Sequence, residues 1–156
     1  MLAITPPPSS PDDLLFARIA DDLSHQGYTV IHNALPDALA SSLFDQVMDL
    51  DSSAYNEAGI GRQNELTLNQ FVRRDEICWI EGQSPAEHDW LKWTAGLQQY
   101  LNQYLFLGLF SFESHFARYQ PGDFYRKHLD AFRGEANRRL SVVTYLNPGW
   151  LPEDGG

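Results

Sequence analysis

The spacing of hydrophobic residues predicts two helices in the first third of the chain. After Pro11, apolar residues recur every three or four positions until Gly27, a residue that commonly ends helices. The same spacing predicts a second helix from residue 36 to about residue 50. Between them, residues 28–31 have the aromatic and β-branched composition of a short strand.

The sequence pattern in the middle of the chain predicts a loop, a strand and a long helix. Residues 52–75 are polar and contain glycine, which favours a long hairpin or loop, and residues 77–80 form an apolar run typical of a strand. Ser84 is followed three positions later by Glu87, the pattern of a helix-starting capping box. The apolar residues after it recur at helical spacing, and we expect them to pack in the core: Trp90, Trp93, Leu97, Leu101, Tyr104 and Leu105.

The hydrophobic period changes to two beyond Gly108, which predicts closely spaced strands. We expect strands around Phe110, Phe112 and residues 116–119, then at residues 124–130 and 139–146, with a turn at residues 120–123. Helices followed by strands indicate an α+β protein with a β-sandwich or barrel in its C-terminal half.

Composition and charge narrow the possible partners. The chain has 156 residues, 21 Asp and Glu, and 11 Lys and Arg, for a net charge of −10. This balance argues against nucleic acid or an anionic membrane as a partner, because both require clustered cations. The single cysteine excludes a disulfide framework. We expect a proline-rich, disordered leader over residues 1–11, one domain over residues 12–156, no membrane span or secretory signal, and a cytoplasmic monomer.

Charge is unevenly distributed along the chain. Residues 12–51 contain eight aspartates and one arginine, a net −7, which we interpret as solvated helix surface. Residues 115–140 contain six cations and three acids, a net +3. The basic segment would suit an anionic ligand, and it also contains the chemically most informative residues.

His128 and Asp130 are the main candidates for a metal site. Side chains two positions apart on a strand point to the same face, so an imidazole and a carboxylate would project together into one cavity. A second histidine would complete the two-histidine, one-carboxylate face of non-haem Fe(II) oxygenases. Tyr119, Tyr125 and Tyr145 flank the pair at spacings that could place hydroxyls near the metal, although a tyrosine taken alone is more often a packed structural residue.

Several segments together resemble one known family. Residues 116–130 (FARYQPGDFYRKHLD) and 139–150 (RLSVVTYLNPGW) resemble the iron-site region of 2-oxoglutarate-dependent prolyl 4-hydroxylases. The closing residues 154–156 resemble the Gly-Gly before that family's next strand. Residues 74–82 (RDEICWIEG) resemble the branch that includes the hypoxia-inducible factor prolyl hydroxylases and their bacterial relatives.

The resemblance implies a fold and an activity. The fold is a double-stranded β-helix, a cupin-like jelly roll, with N-terminal helices packed against it. The activity is that of a dioxygenase using Fe(II), 2-oxoglutarate and O2, with ascorbate as a further candidate cofactor. Its substrate would be a prolyl residue in a protein or peptide.

The resemblance also implies roles for individual residues. His128 and Asp130 would be catalytic iron ligands, and Tyr145 would bind the distal carboxylate of 2-oxoglutarate. Tyr119 would line the cosubstrate pocket, and Tyr125 would lie near the iron and the substrate. Residues 57–74 would form a mobile loop that closes over the substrate.

The family pattern continues beyond the residues of this chain. The second histidine ligand and the basic residue that binds 2-oxoglutarate should follow Gly156, so we expect a C-terminally truncated piece of an oxygenase that is inactive by itself. The remaining histidines lie upstream, and we expect His115 to be structural. Two alternatives stay open: a same-fold oxygenase with a small-molecule substrate, and a non-catalytic β-sandwich that binds a partner protein.

Overall fold

The structure, a computed structural model, describes residues 11–57, 74–128, 138–149 and 151. In this part of the chain, three α-helices pack beside a three-stranded sheet. The elements in chain order are α1 (Pro11–Gln26), α2 (Asp37–Asp49), a 3-10 helix (Ser52–Ala54), β1 (Asn56–Glu57), β2 (Glu76–Trp79), α3 (Pro85–Leu105) and β3 (His115–Arg118).

The first two helices form where the hydrophobic spacing predicts them. Helix α1 begins at Pro11, whose fixed φ suits a first helical position, and ends before Gly27, which has a φ of 79°. The Gly27 N–H donates to the carbonyl of Leu23 over 3.1 Å, which closes the last turn. Helix α2 begins directly after Pro36, and its inward side buries Leu39 and Leu43.

The prediction of a strand at residues 28–31 is wrong. The segment is irregular, and the side chain of Val30 is 72% exposed. A strand requires a neighbour to accept and donate its backbone hydrogen bonds. Here the Thr29 hydroxyl instead donates to the carboxylate of Asp22 over 2.5 Å, which ties the segment to α1.

Helix α3 starts with the predicted cap but uses its glutamate differently. The Ser84 hydroxyl accepts a hydrogen bond from the Glu87 N–H over 3.1 Å, and Pro85 takes the first helical position. In a capping box the glutamate would accept from the Ser84 N–H. Here the Glu87 carboxylate accepts instead from the backbone N–H groups of the three residues before Ser84, which are Glu81, Gly82 and Gln83.

The core lies on both sides of α3. One cluster joins α3 to α2 and the sheet, and includes Trp90, Leu43 and Phe116. The other joins α3 to α1 through Leu97, Leu101 and Phe16. Five of the six core positions predicted on α3 are therefore confirmed, and the sixth, Tyr104, is half-buried and stacks on Tyr100. None of the helices in the described ranges is long and apolar enough to span a bilayer.

The sheet has the antiparallel order β1-β2-β3. In the β2–β3 ladder, Ile77 lies opposite Ala117, Cys78 opposite Phe116, and Trp79 opposite His115. Phe116 and Cys78 contact the helical core. The side chains of the alternate positions therefore lie on the face away from the helices.

Two further predicted strands are not formed as expected. Residues 139–146 are described throughout and pair with no described strand, and within residues 124–128 only Tyr125 makes an isolated bridge. Residues 110 and 112 are also irregular. Alternating hydrophobicity favours extended backbone, but a ladder needs an adjacent strand with matching unpaired groups.

Candidate active site

A tight turn carries the chain from β3 into the candidate iron-binding segment. Pro121 and Gly122 occupy its corner, and the φ of 93° at Gly122 requires glycine. The Asp123 N–H donates to the Gln120 carbonyl over 2.8 Å, and the Gln120 N–H donates to the Asp123 carboxylate over 2.8 Å. These two bonds confirm the turn predicted at residues 120–123.

After the turn, the chain returns alongside Arg74, two residues before the start of β2. The Arg74 N–H donates to the Phe124 carbonyl over 3.0 Å. The guanidinium groups of Arg74 and Arg126 lie 5.2 and 5.6 Å from the Phe124 ring centroid. The predicted iron-binding segment therefore lies at the end of the β2–β3 ladder, with two arginines beside it.

His128 is held in a defined orientation at the surface. Its Nδ1 lies 2.7 Å from the carbonyl oxygen of Arg126. Its ring stacks on Tyr125, with centroids 3.6 Å apart and planes inclined by 17°. A carbonyl accepts a hydrogen bond, so Nδ1 is the donor in this contact, and the neutral imidazole then has its lone pair on Nε2.

The other predicted site residues are only partly placed together. Asp130 lies outside the described residues, so its pairing with His128 stays a prediction. Tyr125 contacts His128 directly. Tyr119 and Tyr145 are 49% and 60% exposed. Among the described residues, no group of three metal-ligating side chains comes together.

The cation of β3 faces away from this site. The guanidinium of Arg118 binds the carboxylate of Glu76 at 2.7 Å and covers the Tyr55 ring at 4.0 Å. Burial raises the pKa of the Tyr55 hydroxyl above its usual value, although the neighbouring Arg118 charge opposes the rise. Arg118 is therefore part of the packing between the sheet and the 3-10 helix.

His115, which the sequence led us to regard as structural, is exposed on the sheet. It lies opposite Trp79, and the two rings meet edge to face with centroids 5.2 Å apart. Tyr119, one residue past β3, continues the same two-residue alternation. That alternation was available in the sequence and could have grouped His115 with Tyr119.

Comparisons with known proteins identify the family of this chain. The sequence profile of the 2OG-Fe(II) oxygenase superfamily matches residues 114–156. The crystal structure of a Pseudomonas putida prolyl-4-hydroxylase matches with a TM-score of 0.80 and 40% identity, over 91% of this chain and 73% of that one. The chain belongs to the prolyl 4-hydroxylase-like family of 2-oxoglutarate/Fe(II) oxygenases. Comparison with curated proteins gave no match.

Family membership fixes the general fold and chemistry. Oxygenases of this superfamily have a cupin-like fold and use Fe(II), 2-oxoglutarate and O2. The described sheet and its helices are consequently one part of a cupin-like domain. The superfamily match begins at residue 114 and covers β3, the turn and the segment that contains His128.

Proposed function

We propose that this chain carries the iron-binding segment of a dioxygenase that hydroxylates a prolyl residue in a protein or peptide. The supporting observation is the 40% identity, over 91% of the chain, to the Pseudomonas putida prolyl-4-hydroxylase. Such extensive identity favours a shared reaction as well as a shared fold. A fold alone would not support this step, because one fold serves many activities.

The hydrogen bond at Nδ1 of His128 favours the tautomer that an iron ligand needs. Metal-binding histidines commonly donate one ring N–H to a carbonyl and bind the metal through the other nitrogen. The contact of Nδ1 with the Arg126 carbonyl provides the first half of this arrangement. This contact suits an iron ligand, and we assign His128 and, from the sequence pattern, Asp130 to the Fe(II) site.

The tyrosines position the iron ligand and the organic molecules. Fe(II) and 2-oxoglutarate, when bound, supply the O2 activation and the oxidation of the prolyl C–H bond. The Tyr125 ring, stacked on His128, restrains the imidazole plane. We assign the Tyr145 hydroxyl to the distal carboxylate of 2-oxoglutarate and Tyr119 to the wall of the same pocket. Residues 58–73, most of the proposed closing loop, lie outside the described residues.

We also propose that the 156-residue polypeptide alone produces no succinate. A two-histidine, one-carboxylate site needs a second histidine, and no histidine follows His128 in this sequence. His115 precedes the segment and pairs with Trp79. Two ligands without a third hold Fe(II) weakly.

The test compares two polypeptides in one assay. One is the 156-residue chain, and the other is the protein expressed from the gene's own start and stop codons. Both receive Fe(II), 2-oxoglutarate, ascorbate and proline-containing peptides, and succinate and hydroxyproline are measured. We expect the gene-encoded protein to form both products and its His128→Ala variant to form neither. Succinate without hydroxyproline on any peptide would contradict prolyl hydroxylation, and succinate from the 156-residue chain would contradict its inactivity.

Mn(II) binding provides a test that does not depend on turnover. Mn(II) is a redox-stable substitute for Fe(II), and its binding can be followed by electron paramagnetic resonance. Substituting either His128 or Asp130 by alanine in the gene-encoded protein should weaken Mn(II) binding by at least about tenfold. His32→Ala, an exposed histidine between α1 and α2, serves as the matched control and should bind Mn(II) like the wild type.

A further inference from the structure

The sheet has two chemically different faces. The face toward the helices contains Phe116, Cys78 and the Arg118–Glu76 ion pair. On the opposite face, the described strand positions are Asn56, Ile77, Trp79, His115 and Ala117, and none of these five residues has a permanent charge. Four of these five are exposed, and Ile77 is half-buried. An uncharged face with an exposed tryptophan is therefore available on the side away from the helices.

The cupin-like fold identifies this face as the inner one. In a β-barrel, successive residues of each strand point alternately to the interior and the exterior. Phe116 and Cys78 pack against α2 and α3, so their side of the sheet is the exterior. Trp79 and His115 consequently lie on the barrel side, where small barrels hold their ligands.

The chemistry of the face suits an uncharged ring better than the anionic cosubstrate. A dicarboxylate needs cationic partners, and the arginine of β3 is on the other face, bound to Glu76. Proline rings dock on aromatic side chains, as they do in proline-recognition grooves. The edge-to-face contact with His115, at 5.2 Å between centroids, restrains the indole of Trp79.

We propose that Trp79 and His115 form a substrate-contacting wall of the reaction cavity, on which the target prolyl segment of the peptide packs. Trp79 provides the aromatic surface, and His115 orients it. This inference rests on the proposed function, since it names the part of the site that meets the peptide. It assigns His115 a role that neither its sequence context nor the iron site requires.

The test separates peptide binding from cosubstrate binding. In the gene-encoded protein, Trp79→Ala and His115→Ala should each raise the KM for the proline peptide about 3- to 10-fold, the range of a single aromatic contact, and leave the KM for 2-oxoglutarate unchanged. Trp79→Phe keeps an aromatic ring and should restore the peptide KM to within about twofold of wild type. The matched control is Phe110→Ala, which removes an 86% exposed ring outside this face.

Any result other than these contradicts either the role of Trp79 and His115 or the proposed function. A rise in the KM for 2-oxoglutarate, or an unchanged peptide KM in both alanine variants, refutes the wall while leaving prolyl hydroxylation intact. If the protein forms no hydroxyproline, the proposed function fails. Peptide binding to the wall is then tested separately, by following the indole N–H resonance of Trp79 in nuclear magnetic resonance spectra. Titration with an uncharged proline peptide must shift that resonance, and an alanine-substituted peptide must not. No shift refutes the wall, and equal folding of the variants is checked by thermal melting.

Discussion

The carboxylate of Glu87 is expected to be a major determinant of stability. Its Oε2 accepts the N–H groups of Glu81, Gly82 and Gln83 at 3.1, 2.8 and 2.9 Å, and its Oε1 accepts the Gln46 side-chain amide at 2.6 Å. One buried side chain therefore joins the end of β2, the start of α3 and the surface of α2.

The magnitude follows from which donors would lose their partners. Hydrogen bonds to a charged group contribute about 1.5–3 kcal/mol each, but water can replace the carboxylate at the exposed Glu81 and Gln83. Only the backbone N–H of Gly82 and the side-chain amide of Gln46, which are half-buried, would lose most of the free energy of their hydrogen bonds. We therefore expect Glu87→Ala to lower the free energy of unfolding by about 3 kcal/mol, and Tm by about 6–12 °C. Glu87→Gln keeps the shape and some of the bonds, so its loss should be about 1 kcal/mol.

The pH dependence gives a second, independent signature. Burial alone would raise the pKa of Glu87, but the hydrogen bonds from Gln83, Gln46, Gly82 and Glu81 outweigh it and hold the pKa below its usual value. A carboxyl group whose pKa is lowered by folding stabilises the protein above its unfolded pKa, and this stabilisation is lost as the pH falls. The difference between wild type and Glu87→Gln should thus be largest near neutral pH and shrink below about pH 4.5.

Urea unfolding followed by circular dichroism at several pH values measures both effects. Glu81→Gln, which neutralises an exposed neighbouring carboxylate, is the matched control and should change stability by less than about 0.5 kcal/mol. A loss below about 1 kcal/mol in Glu87→Ala would refute the proposed role of this carboxylate. A wild-type advantage over Glu87→Gln that does not vary with pH would refute the charge-based explanation.

Three further substitutions test the packing around α3 and the sheet. Leu101 is 0% exposed, so Leu101→Ala should cost about 2–5 kcal/mol in urea unfolding, whereas Leu14→Ala, at a 61% exposed position, should cost less than about 0.5 kcal/mol. The Asn102 side chain exchanges two hydrogen bonds with the Leu109 backbone, at 2.6 and 2.7 Å, and Asn102→Ala should speed protease cleavage at residues 106–110 at least several-fold; unchanged cleavage would contradict this clamp. Arg118→Met removes the ion pair with Glu76, and we expect a loss of about 1 kcal/mol that becomes smaller in high salt; a loss independent of salt would point to packing alone.

The sequence was a good guide where structure depends on nearby residues. Hydrophobic spacing, Pro11 and Gly27 defined α1, and the Ser84 cap defined the start of α3. The turn at residues 120–123 followed from Pro121 and Gly122. All of these signals act within one or two turns of backbone, so no distant contact is needed to read them.

The candidate site was only partly predictable for the same reason. Residues 74–82, 116–130, 139–150 and 154–156 together carried the family resemblance, which the comparisons confirm. The contacts of His128 with the Arg126 carbonyl and Tyr125 arise because residues 124–128 leave the expected strand conformation. The joint projection of His128 and Asp130 into one cavity remains a prediction.

The sequence by itself determined the helices, the Ser84 cap of α3, the turn and the family. Tertiary structure alone decided which extended segments became strands, because a strand needs a partner that is distant in the chain. That requirement left residues 28–31 and 139–146 without a described ladder. It also placed Trp79 against His115 across β2 and β3, since pairing register brings together side chains that no local pattern connects.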